Sequence, residues 1–284
     1  MVANIQESFP FYTPTPPAVK GIMRKAPLKI PQDEKTRRLN RENTFVLLIT
    51  GTHEGDEYRF EREANEWKHY LHEETSIPAA QIDRFSARDM KKSQFLLRTK
   101  VFFDTVESVP GRYAVVIYEG HGLEGCMNQD KKENRVPYYD FAPLFASVPF
   151  VLVNTSCHSG SAVPFFKPYL HRGLVLAGCQ ADEICSDVFG EDVRKQFIEK
   201  HPYKPKELEH TELQHRIKQV NASSGGSKIK YENGQPVYVI SDWGFVRHIP
   251  VREKPKEDDK YPTKFHPQRK GVNLDYLLYS RQDV

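Results

Sequence analysis

Cysteine is scarce in this chain, and what there is has the wrong spacing for metal or disulfide chemistry. The 284 residues include four, Cys126, Cys157, Cys179 and Cys185. None forms a CxxC pair and no Cys/His group has zinc-site spacing, which argues against a structural zinc. Four over this length do not make a disulfide scaffold either. The proline-rich start of the chain lacks the apolar core of roughly 7–15 residues that marks a signal peptide. No apolar run approaches the roughly 20 residues that cross a bilayer. Charge of one sign is not in excess: 41 Lys+Arg stand against 38 Asp+Glu, a net +3. The electrostatic footprint of a nucleic-acid binder is therefore missing. The GxxxxGK[ST] phosphate loop is absent, and so is any internal repeat. These absences predict a soluble, cytoplasmic protein with no metal, no cofactor and no membrane contact.

The chain does contain apolar runs of strand length, at 45–50, 113–118, 149–153 and 173–178. Each reads as a fully buried strand of a parallel sheet. Between the first two, Phe60, Ala64, Trp67 and Leu71 recur with helical period from residue 56 onward. A second helix is expected over 93–107, burying Phe95, Leu96, Phe102 or Phe103, and Val106. Shorter or later helices are expected over 138–145, 192–200 and 205–220, and a last strand over 237–242. Strands alternating with helices predict an α/β sandwich around a mostly parallel sheet flanked by helices.

Three segments are expected: an arm over 1–43, a folded domain over 44–250 and a charged, peripheral tail over 251–284. The arm holds Pro10, Pro14, Pro16 and Pro17, and over 19–43 eight Lys/Arg against three acids. That composition suits a solvated tail, with a basic arm for an acidic partner or a removable pro-segment as the competing reading.

Two of the apolar runs stop on reactive side chains. One leads into His121-Gly122 and the other into Cys157-His158-Ser159-Gly160. In open parallel sheets, chemistry collects just past the carboxyl ends of the strands. A His at one such end and a Cys at another predict a thiol–imidazole dyad. The thiolate would attack a peptide carbonyl and the imidazolium would protonate the departing amine. The backbone N–H groups of Gly122 and Cys157 would form the oxyanion hole. His53, after the first run, is a candidate to line the same edge. His158 is expected to be structural or substrate-facing, because adjacent side chains diverge. Cys126, Cys179 and Cys185 are expected to be bystanders.

Tyr118-Glu119-Gly120-His121-Gly122 and Thr155-Ser156-Cys157-His158-Ser159-Gly160 together resemble the caspase-like cysteine peptidases, metacaspases most closely. The resemblance spans roughly residues 44 to 242 and includes an echo over 175–183. It implies a caspase-like three-layer sandwich, a thiol protease with His121 and Cys157 as dyad, and Gly122 beside the oxyanion hole. It also implies a peptide substrate added as an extended strand along 180–186, so Gln180 and Asp182 are candidate substrate contacts. Metacaspases carry an acid two residues before the cysteine, and caspases carry Gln. Here that position is Thr155, so neither P1 preference transfers cleanly. Caspases place a P1-binding arginine near the start of the first helix, where Arg59 and Arg62 stand. Glu119 lies close enough to the dyad to tune His121, or else faces solvent. The segments 123–137 and 222–233 are candidate processing loops. Calcium activates some relatives, but no EF-hand loop is present here. A homodimer through an edge strand is compatible with the family. The alternative to an active endopeptidase is a catalytically silent pseudo-peptidase that keeps the fold as an interaction module.

Overall fold

The structure is a computed structural model, and it describes residues 41–51, 57–127, 132–183, 185, 188–199, 202–209, 229–232, 235–242, 245–250 and 264–278. The first strand, β1 (Thr44–Gly51), is buried along nearly its whole length. Helix α1 (Glu57–His69) follows and runs on into a π-helical turn at Tyr70–Glu74. Then come strand β2 (Ile82–Ser86), helix α2 (Lys92–Glu107) and strand β3 (Tyr113–Gly120). Phe60, Ala64, Trp67 and Leu71 are all buried, as their helical spacing requires. In α2 the buried residues are Phe95, Thr99, Phe102, Phe103 and Val106, while Leu96 is only partly covered.

After β3 the chain makes a small antiparallel sheet of two-residue strands, β4 (Gly122–Leu123), β5 (Cys126–Met127) and β6 (Val136–Pro137). Met127, Asn134 and Val136 are buried, so this stretch is more structured than an exposed loop. The stretch 138–145 is one turn of α-helix, α3 (Tyr138–Phe141), passing into a tighter turn where Pro143 removes a donor. Strand β7 (Phe150–Asn154), the short helix α4 (Val163–Phe166), strand β8 (Gly173–Ala177) and helix α5 (Phe189–Ile198) complete the α/β alternation.

Six strands form the central sheet, in the order β14-β8-β7-β3-β1-β2, where β14 is Gln268–Gly271. All neighbours are parallel except β14, which runs antiparallel to β8. Helices cover both faces, which is why the inner strands are apolar without alternation. On one face α1, the π-helical turn after it and α5 pack Trp67, Leu71, Phe189, Val193 and Phe197 against Val115, Ile117 and Val153. On the other, α2, α3 and α4 pack Phe95, Phe103, Phe141 and Phe166 against Val116 and Leu152.

Three expectations change. The tail expected to be peripheral is built in over 264–278: β14 is the sheet's edge strand, and Leu274, Leu277 and Leu278 are fully buried. The span 205–220 does not open as a helix, because β9 (Leu208–Glu209) is a strand that pairs with β13 (Lys264–Phe265); residues 210–220 lie outside the described residues. The expected last strand exists as β11 (Gln235–Asp242). It joins a separate antiparallel sheet between β10 (Ile229–Glu232) and β12 (Phe245–Pro250), not an edge of the central one. Among the described residues, no helix is long and apolar enough to cross a membrane. The 1–43 arm is outside the described residues up to 40, as is the 222–228 break.

Candidate active site

The sheet extends from β1 toward β2 on one side and toward β3, β7 and β8 on the other. A crevice between β1 and β3 at the carboxyl ends of the strands is where such sheets bind ligands. His121 follows β3, at that switch point, and Cys157 follows β7, the next strand out. Strands β3 and β7 pair with a constant offset of 36 residues, from Ala114 against Phe150 to Tyr118 against Asn154. His121 and Cys157 each stand three residues past the last ladder pair, and are likewise 36 residues apart. The two departing turns remain in contact: a Cβ on Gly122 would lie 2.5 Å from the Cys157 carbonyl oxygen and 2.5 Å from Ser156 Oγ. Only glycine leaves room for that approach.

His121 is half-buried, with its ring edge-on to Phe60 of α1 at 5.1 Å between centroids. Its carbonyl accepts a hydrogen bond from Tyr118 Oη at 2.8 Å. Cys157 is half-buried and packs against the α1/α5 face of the core. The Cys185 backbone N–H donates to Cys157 Sγ at 3.4 Å. Cys185 is thus no bystander in space, and Cys179 is hydrogen-bonded to it. Burial pushes the Cys185 thiol well up, whereas the bond from Cys185 holds the Cys179 thiol below its ordinary value. Burial also raises the Cys126 thiol, and Cys126 lies on the small sheet.

His158 takes a left-handed backbone (φ +58°). Its N–H donates to the Glu183 carbonyl at 2.7 Å, and its Nδ1 lies 3.0 Å from the Ala181 carbonyl oxygen. It ties the Cys157 turn to the loop after β8. At Gly160 a Cβ would meet the Cys179 carbonyl oxygen at 2.6 Å, so the same two loops touch there as well.

The expected substrate contacts divide. Arg59 has its guanidinium 5.6 Å from the ring of Phe60, which His121 meets edge-on. Arg62 points elsewhere: it pairs with Glu63 at 3.1 Å and Glu66 at 3.8 Å, and borders the cleft between α1 and α5. Gln180 and Asp182 are exposed on the loop beyond Cys157. Glu183 shapes that loop by accepting from the N–H groups of Gln180 and His266, both at 3.0 Å. His53 lies outside the described residues.

Thr155 is half-buried. Its hydroxyl donates to Glu119 Oε2 at 2.7 Å and also reaches the Tyr118 carbonyl at 3.0 Å. Glu119 in turn accepts from Trp67 Nε1 at 2.6 Å and is 5% exposed, so it does not face solvent. Burial pushes its carboxyl up to about 7; the Thr155 bond opposes this, Glu63 adds to it, and the Trp67 bond and Arg194 oppose it. Arg194 stacks over Trp67 at 5.0 Å and pairs with Glu66 at 2.7 Å. The sequence alone points to Glu119 as a neighbour of the dyad. It does not reveal the parts played by Trp67, Phe60 and Cys185, which depend on contacts between distant segments. No group of three or more His, Cys, Asp or Glu among the described residues is arranged to hold a metal ion.

No protein-family model matches this chain, and no curated protein does either.

Proposed function

We propose that the chain is a cysteine endopeptidase in which Cys157 is the nucleophile and His121 the general acid–base. The observation that carries this reading is the shared 36-residue offset: the β3/β7 register and the His–Cys separation are the same number. A thiol and an imidazole three residues past the same ladder pair suit attack on a carbonyl followed by protonation of the amine. Gly122, pressed against the Cys157 carbonyl, supports a backbone oxyanion hole made with the Cys157 N–H. The mostly parallel sandwich agrees with the caspase-like architecture that the two motifs imply. In this reading a peptide lies along the exposed Gln180 and Asp182. The substrate is a protein or peptide with a restricted P1 residue.

The test is a positional-scanning peptide library cleaved by the wild type beside Cys157→Ala and His121→Ala. Cleavage by the wild type is expected to fall by at least about 1,000-fold in either variant, since removing one member of a catalytic pair disables the unit. A wild type as silent as both variants, and unlabelled by a thiol-reactive peptide probe, would favour the pseudo-peptidase.

A further inference from the structure

We infer that Glu119 is a positioning residue for the dyad, a buried carboxyl whose ionisation is coupled to that of the His121 imidazole two residues on. Glu119 and His121 are two residues apart where β3 ends, and both face the α1 layer: Glu119 meets Trp67 of α1, and His121 meets Phe60 of the same helix. Two residues of extended chain separate them by roughly 7 Å. Directly across, Thr155 stands just past β7, two residues before Cys157, and donates to Glu119. The Glu119–Thr155 pair is therefore the rung beneath the dyad, and its carboxyl is sealed from water.

The pair can accommodate either charge state. When Glu119 is ionised, Trp67 Nε1 and the Thr155 hydroxyl both donate to it. When it is protonated, its own O–H can donate to Thr155 Oγ1. The Thr155 hydrogen then turns to the Tyr118 carbonyl, already 3.0 Å away. No buried polar group of the rung is orphaned in either case, so the proton can come and go without disturbing the packing.

Other charges act on the rung as well. Glu63 on α1 opposes ionisation, Arg194 on α5 favours it, and the Cys185 thiol lies within reach of both Glu119 and Cys157. Arg59 on α1 has its guanidinium 5.6 Å from the Phe60 ring, the ring that His121 meets edge-on. Glu119 is the buried anion nearest His121 along its own stretch of chain, and the low polarisability of the interior makes its charge felt there.

The experiment is an NMR titration of the His121 ring in wild type, Glu119→Gln and Thr155→Val, without substrate. The amide of the Glu119→Gln variant keeps both hydrogen bonds, accepting from Trp67 and donating to Thr155, so the fold is expected to survive. The His121 midpoint is expected to drop by about one pH unit in Glu119→Gln. A smaller drop is expected in Thr155→Val, where the carboxylate has lost a donor and ionises less readily. Superposable His121 curves in wild type and Glu119→Gln overturn the inference. If Glu119→Gln does not fold, an unshifted Thr155→Val does the same. Only the assignment of His121 is shared with the peptidase reading. Because the titration needs no turnover, a protein that cleaves nothing can still show the shift, and an active peptidase can lack it.

Discussion

On one face of the central sheet, Phe145 sits among Phe103, Phe141, Phe150 and Phe166, with ring centroids 4.6–5.0 Å away and edges turned to faces. On the other, Trp67 and Phe189 share their layer with Glu119, Arg194 and Asp275, all buried. The aromatic face gains apolar area and edge-to-face contact and has almost nothing to titrate. The opposite face gives up stability to desolvated charges, each of which needs a partner. Asp275 has one: burial pushes its carboxyl up, while Arg269 and the Tyr203 N–H pull it back. Both candidate dyad residues emerge on this second face. One sheet thus keeps rigidity and chemistry on opposite sides.

Three substitutions would sharpen or break that contrast. The largest effect is expected from Phe145→Ala, which opens a cavity in the aromatic cluster and should cost about 3–5 kcal/mol in denaturant unfolding. The His121 titration should stay where it was, and a shift would mean that the two faces are not independent. Next comes Glu119→Gln, read as stability against pH. The folded carboxyl is raised from 4.5 to about 7, so the native state binds the extra proton between those values. Wild-type stability contributed by this group is complete below about pH 4.5 and is lost as pH rises through 7, by about 3 kcal/mol. The amide of the variant carries no such loss. The two proteins should melt alike near pH 4 and diverge by pH 8 in favour of the variant, and parallel curves would remove Glu119 from the titrating set. The smallest effect is expected from Lys100→Ala on α2, whose exposed partner is Asp104 one turn away. About 0.5 kcal/mol or less should be lost, and less still in high salt.

Much of this arrangement is legible in the sequence because burial on both faces writes itself as unbroken apolar runs. β1, β3, β7 and β8 are readable for that reason, and α1 and α2 from their period. β2 is not, because it is the edge strand beside β1 and buries only Phe85 among its five residues. β14 is hidden for the same cause: Gln-Arg-Lys-Gly is the composition of an edge, and nothing in it reveals pairing with β8. At the site, His121 and Cys157 can be found because each closes a strand. The triangle of Trp67, Glu119 and Thr155 joins residues 52 and 36 positions apart, and only the folded register reveals it.

The way β3 and β7 are paired also makes the two kinds of length change unequal. Residues added to the connection between them, for instance between Met127 and Val136, lengthen the path without moving either reactive group. One residue added between Tyr118 and His121, or between Asn154 and Cys157, would turn a side chain to the opposite face of the sheet. The connection from His to Cys can change length wherever its buried residues keep their places, whereas the short steps that follow each last ladder pair cannot.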